Sequence, residues 1–236
     1  GSDGFACASA GSCNYDIKGF YLPSAGNVSK PMKISNLMDT RSRRDYNCYM
    51  IEYNSVTAEI LRAVRPTVIV ETSYMMVSFP TICMPVHNYI GKMMETEAPD
   101  LIKKYELQPF YMKVQDISRT LADKVFAICD YYLQNNIKRH SRHIYDVYKL
   151  LPLVELDDVF HRLVFEVREV RSKNIVICPS ASSKTNITKL LKKIIDEEVY
   201  KADYQNLTQK LLEEKIPYER AIKAIKAIIE SGVFDL

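Results

Sequence analysis

Three features of the chain predict an α+β fold, a small sheet-bearing part over 1–115 followed by an all-helical part over 116–236. Tyr49, Ile51 and Tyr53 alternate with Met50 and Glu52, the two-residue period of a half-buried strand. Thr67-Val68-Ile69-Val70-Glu71-Thr72-Ser73-Tyr74 is a β-branched run that Pro66 can open but could not interrupt, and a central strand is expected there. Beyond Val114 the period becomes helical, with Ile117, Leu121, Val125, Ile128 and Tyr132 recurring every three to four residues.

Along the chain, residues 1–40 are rich in Gly, Ser, Ala and Asn and hold no sustained period, and Gly1-Ser2 reads as a cloning remnant. After the two strands above, Phe110-Tyr111-Met112-Lys113-Val114 makes a third. Asp116 with Ser118 caps the first long helix, whose stripe runs through Leu133. A second helix is expected over 139–151, stopped by Pro152, with Ile144, Val147, Tyr148 and Leu151 inward. Further helices are expected over 156–170, 187–200 and 204–214, with a loop at Cys178-Pro179-Ser180. The last helix takes Pro217 as its first residue and ends before Gly232, with Ile222, Ile225 and Ile229 inward.

The 236 residues are 47% hydrophobic and 26% charged, an ordinary globular composition. Lys and Arg total 32 against 29 Asp and Glu, a formal charge of +3, so any nucleic-acid contact needs a local patch. With 7 glycines and neither a P-loop nor a dinucleotide fingerprint, those nucleotide-binding modes are excluded. Cys7, Cys13, Cys48, Cys83, Cys129 and Cys178 form no C-x-x-C pair, which suits reduced thiols in a cytoplasmic protein. Charge interrupts every apolar stretch before the roughly 18–20 residues of a bilayer span, so no membrane association is expected.

Glu71 shares a strand face with Ile69, and a carboxylate there is either solvated or bridged at the strand's end, or a metal-binding or basic group. On the helix over 139–151, Arg139, Arg142, Asp146 and Lys149 fall at i, i+3, i+7 and i+10. That stripe is a solvated face or a grip for phosphate. Asp123, Lys124 and Asp130 are polar members of the preceding helix, and Val125 and Phe126 can hold the Lys124 stem while its ammonium meets a ligand. His140 and His143 lack the further ligands of a zinc site, and no elbow motif supports a serine nucleophile.

Two segments carry a resemblance to a known family: Arg65-Pro66-Thr67-Val68-Ile69-Val70-Glu71-Thr72-Ser73-Tyr74, and the acidic-Lys pair Asp123-Lys124 opening an apolar helix, followed by Arg139-His140-Ser141-Arg142-His143-Ile144-Tyr145-Asp146. Together they resemble the AbiEii/AbiGii-type nucleotidyltransferase toxins of the polymerase-beta-like nucleotidyltransferase superfamily. The resemblance runs from about Asn47 to the C-terminus. It implies a prokaryotic enzyme with a cognate antitoxin, moving a nucleoside monophosphate from a nucleoside triphosphate to an RNA or protein acceptor. It also implies a small mixed sheet bearing three carboxylates, the third matching Glu71, that hold Mg2+.

The same resemblance assigns Lys124 to the triphosphate, places Asp130, Arg139, Arg142 and Asp146 around the nucleotide, and gives Glu71 and Asp16 to metal and catalysis. The family's first motif, Gly followed by Gly, Ser or Thr and then, some ten or more residues on, by Asp-x-Asp on a strand, is not intact, and Asn14-Tyr15-Asp16 stands nearest to it. Many relatives carry Asp where this chain has His143. The alternative function is therefore a degenerate or truncated nucleotidyltransferase that binds nucleotide, RNA or a partner without turnover.

Overall fold

The computed structural model describes residues 33–40, 46–53, 67–73 and 79–236. It divides into two units, Gly1–Val77 with Cys83–Lys113 and Ser78–Ile82 with Val114–Leu236. The architecture is α+β, small sheets followed by a helical region. No helix among the described residues is long and apolar enough to cross a membrane.

In the first unit β1 (Lys33–Ile34), β2 (Tyr46–Glu52) and β3 (Thr67–Ser73) form an antiparallel sheet in that order. The register sets Cys48 opposite Glu71 and Tyr46 opposite Ser73. Among the described residues β3 is an outer strand rather than the central one expected, and Val68, Ile69 and Val70 are 41–54% exposed. β-branched residues report fit to a pleated backbone, not the place of the strand in its sheet, which explains the difference.

β4 (Thr81–Val86), α1 (Tyr89–Glu97) and α2 (Pro99–Lys104) were not legible in the sequence. α1 is capped by Asn88, whose Oδ1 accepts the Gly91 N–H at 2.7 Å. Gly91 is obligatory for space, because a Cβ there would lie 2.5 Å from both His87 Nε2 and the Leu107 carbonyl. α2 opens on Pro99, with Asp100 in its first turn and Lys103 and Lys104 in its last, matching the helix dipole. β4 pairs with β5 (Phe110–Gln115) in a second sheet, and both strands cross from one unit's sequence to the other's.

The second unit is helical: α3 (Ile117–Leu133), α4 (Arg142–Leu150), α5 (Asp158–Ser172), α6 (Ile187–Asp196), α7 (Lys201–Asp203), α8 (Gln209–Leu211) and α9 (Tyr218–Ser231). Asp116, Asp157 and Asn186 cap α3, α5 and α6 through their side chains. Leu121, Val125, Phe126 and Ile128 of α3 pack with Ile144, Val147, Phe160, Val164, Leu191, Ile225 and Ile228, all buried. Each contributes about 1.5–3 kcal/mol by leaving water. Phe234 closes the core edge-on to Phe126, with centroids 5.7 Å apart.

Several boundaries differ from the expected ones. α6 ends at Asp196 because Glu198 turns to a φ of 48°. The helix expected over 204–214 is a π turn at Tyr204–Thr208 followed by α8. Pro217 is the residue before α9 rather than its first, and Gly232 ends that helix with a φ of 71°, where glycine has no Cβ to clash. No disulfide joins the described cysteines, and Cys129 and Cys178 are buried as small hydrophobes.

Candidate functional site

α3 carries two kinds of polar residue on a largely apolar helix. The first kind is buried and paired. Arg119, fully buried, donates from Nε to Asp123 Oδ2 at 2.9 Å and from Nη1 to the Phe79 carbonyl at 3.0 Å. Arg171 of α5 donates to Asp123 Oδ1 at 2.8 Å and to Asp130 Oδ2 at 2.6 Å. The other Asp130 oxygen accepts the Ser180 N–H at 2.8 Å. Two arginines and two aspartates thus balance within one network that joins α3, α5 and the turn at Pro179–Ala181.

The second kind is reachable from solvent. Lys124 Nζ donates to Asp146 Oδ2 of α4 at 2.8 Å, with side chains 31% and 30% exposed. The same oxygen lies 3.5 Å from His143 Nδ1. Burial pushes the Asp146 carboxyl upward, but the His143 and Lys124 contacts outweigh it and hold the group below the ordinary aspartate range. The His143 contact sits at the outer limit of an ion pair, and neither of its buried ring nitrogens makes a hydrogen bond. Tyr131, His140 and His143 form a stack of near-parallel rings, Tyr131 to His140 at 3.5 Å and Tyr131 to His143 at 5.5 Å.

The start of α4 is fixed from outside the helix. Asp203 accepts the backbone N–H of Arg139 at 2.9 Å and of Ser141 at 3.2 Å, while the Ser141 and Thr208 hydroxyls pair at 2.7 Å. Arg139 has a φ of 71°, so it lies in the turn and the helix begins at Arg142. This corrects the expected helix over 139–151 and shortens its stripe to Arg142, Asp146 and Lys149. Arg142 is exposed, one turn from Asp146, and forms no salt bridge with the described residues.

The structure therefore brings Lys124, Arg142 and Asp146 to one corner of α3 and α4. It turns Asp130 to α5 and the Pro179–Ala181 turn instead, with both oxygens occupied, and leaves Arg139 in the turn before α4. Sequence reading missed Arg171. Its signal was present, because Phe160, Val164, Val167, Arg168 and Arg171 share one buried face of α5, and an arginine there demands acceptors, which Arg168 finds in the Ser182 and Thr185 carbonyls and Arg171 in two aspartates.

Glu71 belongs to the first unit. It is exposed on β3, and Oε1 accepts the Tyr46 hydroxyl at 2.5 Å. That hydrogen bond is the main reason the Tyr46 phenol is pushed up to about 12. Asp16 lies outside the described residues. Among the described residues no three His, Cys, Asp or Glu side chains are placed to hold a metal ion. The described carboxylates therefore do not by themselves complete a magnesium site.

In comparison with known proteins, the chain matches the model for "Nucleotidyl transferase AbiEii toxin, Type IV TA system" over residues 6–230. It belongs to that family of nucleotidyltransferase-type toxins. No curated protein and no solved structure matches the chain.

Proposed function

We propose that the protein moves a nucleoside monophosphate from a nucleoside triphosphate to an RNA or protein acceptor, as a cytoplasmic toxin restrained by a cognate antitoxin. The acceptor oxygen attacks the α-phosphorus, the bond to the bridging oxygen breaks, pyrophosphate departs and the acceptor's proton passes to solvent. Lys124 neutralises the triphosphate and the charge that builds on the leaving pyrophosphate. Arg142 and Arg139 add positive charge, Asp146 holds Lys124 until the nucleotide arrives, and Asp130 serves the site through Arg171 and α3. Glu71, with Asp16, supplies carboxylates for the transfer, and Mg2+ is the proposed cofactor. The observation that carries the reading is the 2.8 Å Lys124–Asp146 pair, with both partners open to solvent.

The Tyr46 hydroxyl on Glu71 favours a second reading, a family member that binds nucleotide, RNA or a partner without turnover. One assay separates the two. Each nucleoside triphosphate, labelled on its α-phosphate, is incubated with the protein, magnesium, total RNA and cell protein. Label entering an acceptor with release of pyrophosphate, lost in Glu71→Ala, is the expected result. Transfer by that variant at the parent rate removes Glu71 from the chemistry, and binding with no transfer leaves the second reading.

A further inference from the structure

We propose that His143 is a positioning residue of the nucleotide site: a triphosphate arriving at Lys124 releases Asp146 to the His143 imidazole, which takes up a proton from solvent. The inference rests on the reading of Lys124 as the triphosphate ligand. One carboxylate oxygen, Asp146 Oδ2, faces both Lys124 Nζ at 2.8 Å and His143 Nδ1 at 3.5 Å, and the lysine holds it. The two partners differ in access, since the His143 side chain is only 9% exposed against 31% for Lys124. A polyanion can therefore reach the ammonium more readily than the imidazole.

His143 is prepared for that exchange. Both ring nitrogens are buried without a hydrogen-bond partner, an unusual state for polar atoms out of water. Its ring is held parallel to Tyr131 and His140, with centroids 5.5 and 5.9 Å away, so a short approach of the Asp146 carboxylate suffices. The groups facing it set the sign. Lys124 and Tyr131 come from α3, Asp146 from its own helix, and His140 from the preceding turn with Arg142 and Asp203 near it. Withdrawal of Lys124 to the ligand leaves Asp146 to pair with an imidazolium. Nucleotide binding is thereby coupled to uptake of a proton, and affinity rises as pH falls.

The test is calorimetric titration of the α,β-methylene analogues of the four ribonucleoside triphosphates into the full chain. With PIPES, HEPES and Tris near pH 7.5, proton uptake follows from the dependence of heat on buffer ionisation. His143→Asn keeps a group able to donate to Asp146 but cannot titrate, and it cancels protons gained by the nucleotide itself. The parent is expected to take up more protons on binding than the variant, with a steeper rise in affinity toward acid. Equal uptake in the two overturns this inference alone, while absence of binding by all four analogues overturns the nucleotide reading and the inference with it. Should the variant fail to fold, nitrogen NMR of the parent's imidazoles decides. His143 passing to the imidazolium pattern on addition of analogue is expected, and a neutral pattern retained in the bound state overturns the proposal.

Discussion

Lys124 and Asp146 face each other across α3 and α4 at 2.8 Å, and each side chain keeps about 30% of its surface in solvent. A pair that exposed contributes little to folding, about 0–1 kcal/mol for the coupling. A double-mutant cycle with Lys124→Ala and Asp146→Ala, read by urea denaturation, is expected to return a coupling in that range. A coupling of several kcal/mol would make the pair a structural device rather than a ligand site.

The buried network behaves differently. Removing Arg171 leaves Asp130, 4% exposed, without its cation and Asp123 with Arg119 alone. Arg171→Ala should cost about 3–5 kcal/mol, seen as a large drop in the thermal midpoint. An unchanged midpoint would show that the network does not brace α3 against α5.

Asp203 links stability to pH. Burial pushes its carboxyl upward, but the Arg139 and Ser141 hydrogen bonds more than offset this, so the folded group titrates below the ordinary aspartate value of about 3.9. Its contribution is complete above the unfolded value and is lost as pH falls through the lower folded one. Asp203→Asn should therefore flatten the fall in stability between about pH 5 and pH 3. An acid limb as steep as the parent's would contradict that role.

In the first unit, Gly91→Ala forces a methyl against His87 Nε2 and the Leu107 carbonyl, atoms that sit 3.1 Å apart in a hydrogen bond. Overpacking there should cost about 1–3 kcal/mol. Faster amide exchange in α1 is the expected readout, and unchanged exchange would contradict the close approach.

Legibility in the sequence followed the strength of local periodicity. α3 was readable to its cap because Leu121, Val125 and Ile128 repeat on one face and Asp116 accepts the Ser118 N–H. α1 was hidden by Gly91 in its first turn and by a face that stays largely exposed, so no apolar stripe marks it. The start of α4 was misplaced because Asp203, 64 residues from Arg139, decides it, and no local pattern reports such a partner. Among the proposed site residues, Lys124, Arg142 and Asp146 were nameable from the family resemblance. The duty of Asp130 toward Arg171 and Ser180 was not, since it depends on how α3 meets α5.

The central claim is that the corner of Lys124 and Asp146 receives a triphosphate. Calorimetric titration of the four nucleoside triphosphates into the parent and into Lys124→Ala tests it most directly. Binding by the parent, weakened at least about tenfold in the variant, a loss of about 1.4 kcal/mol or more, is the predicted result. Equal affinity in parent and variant would contradict it.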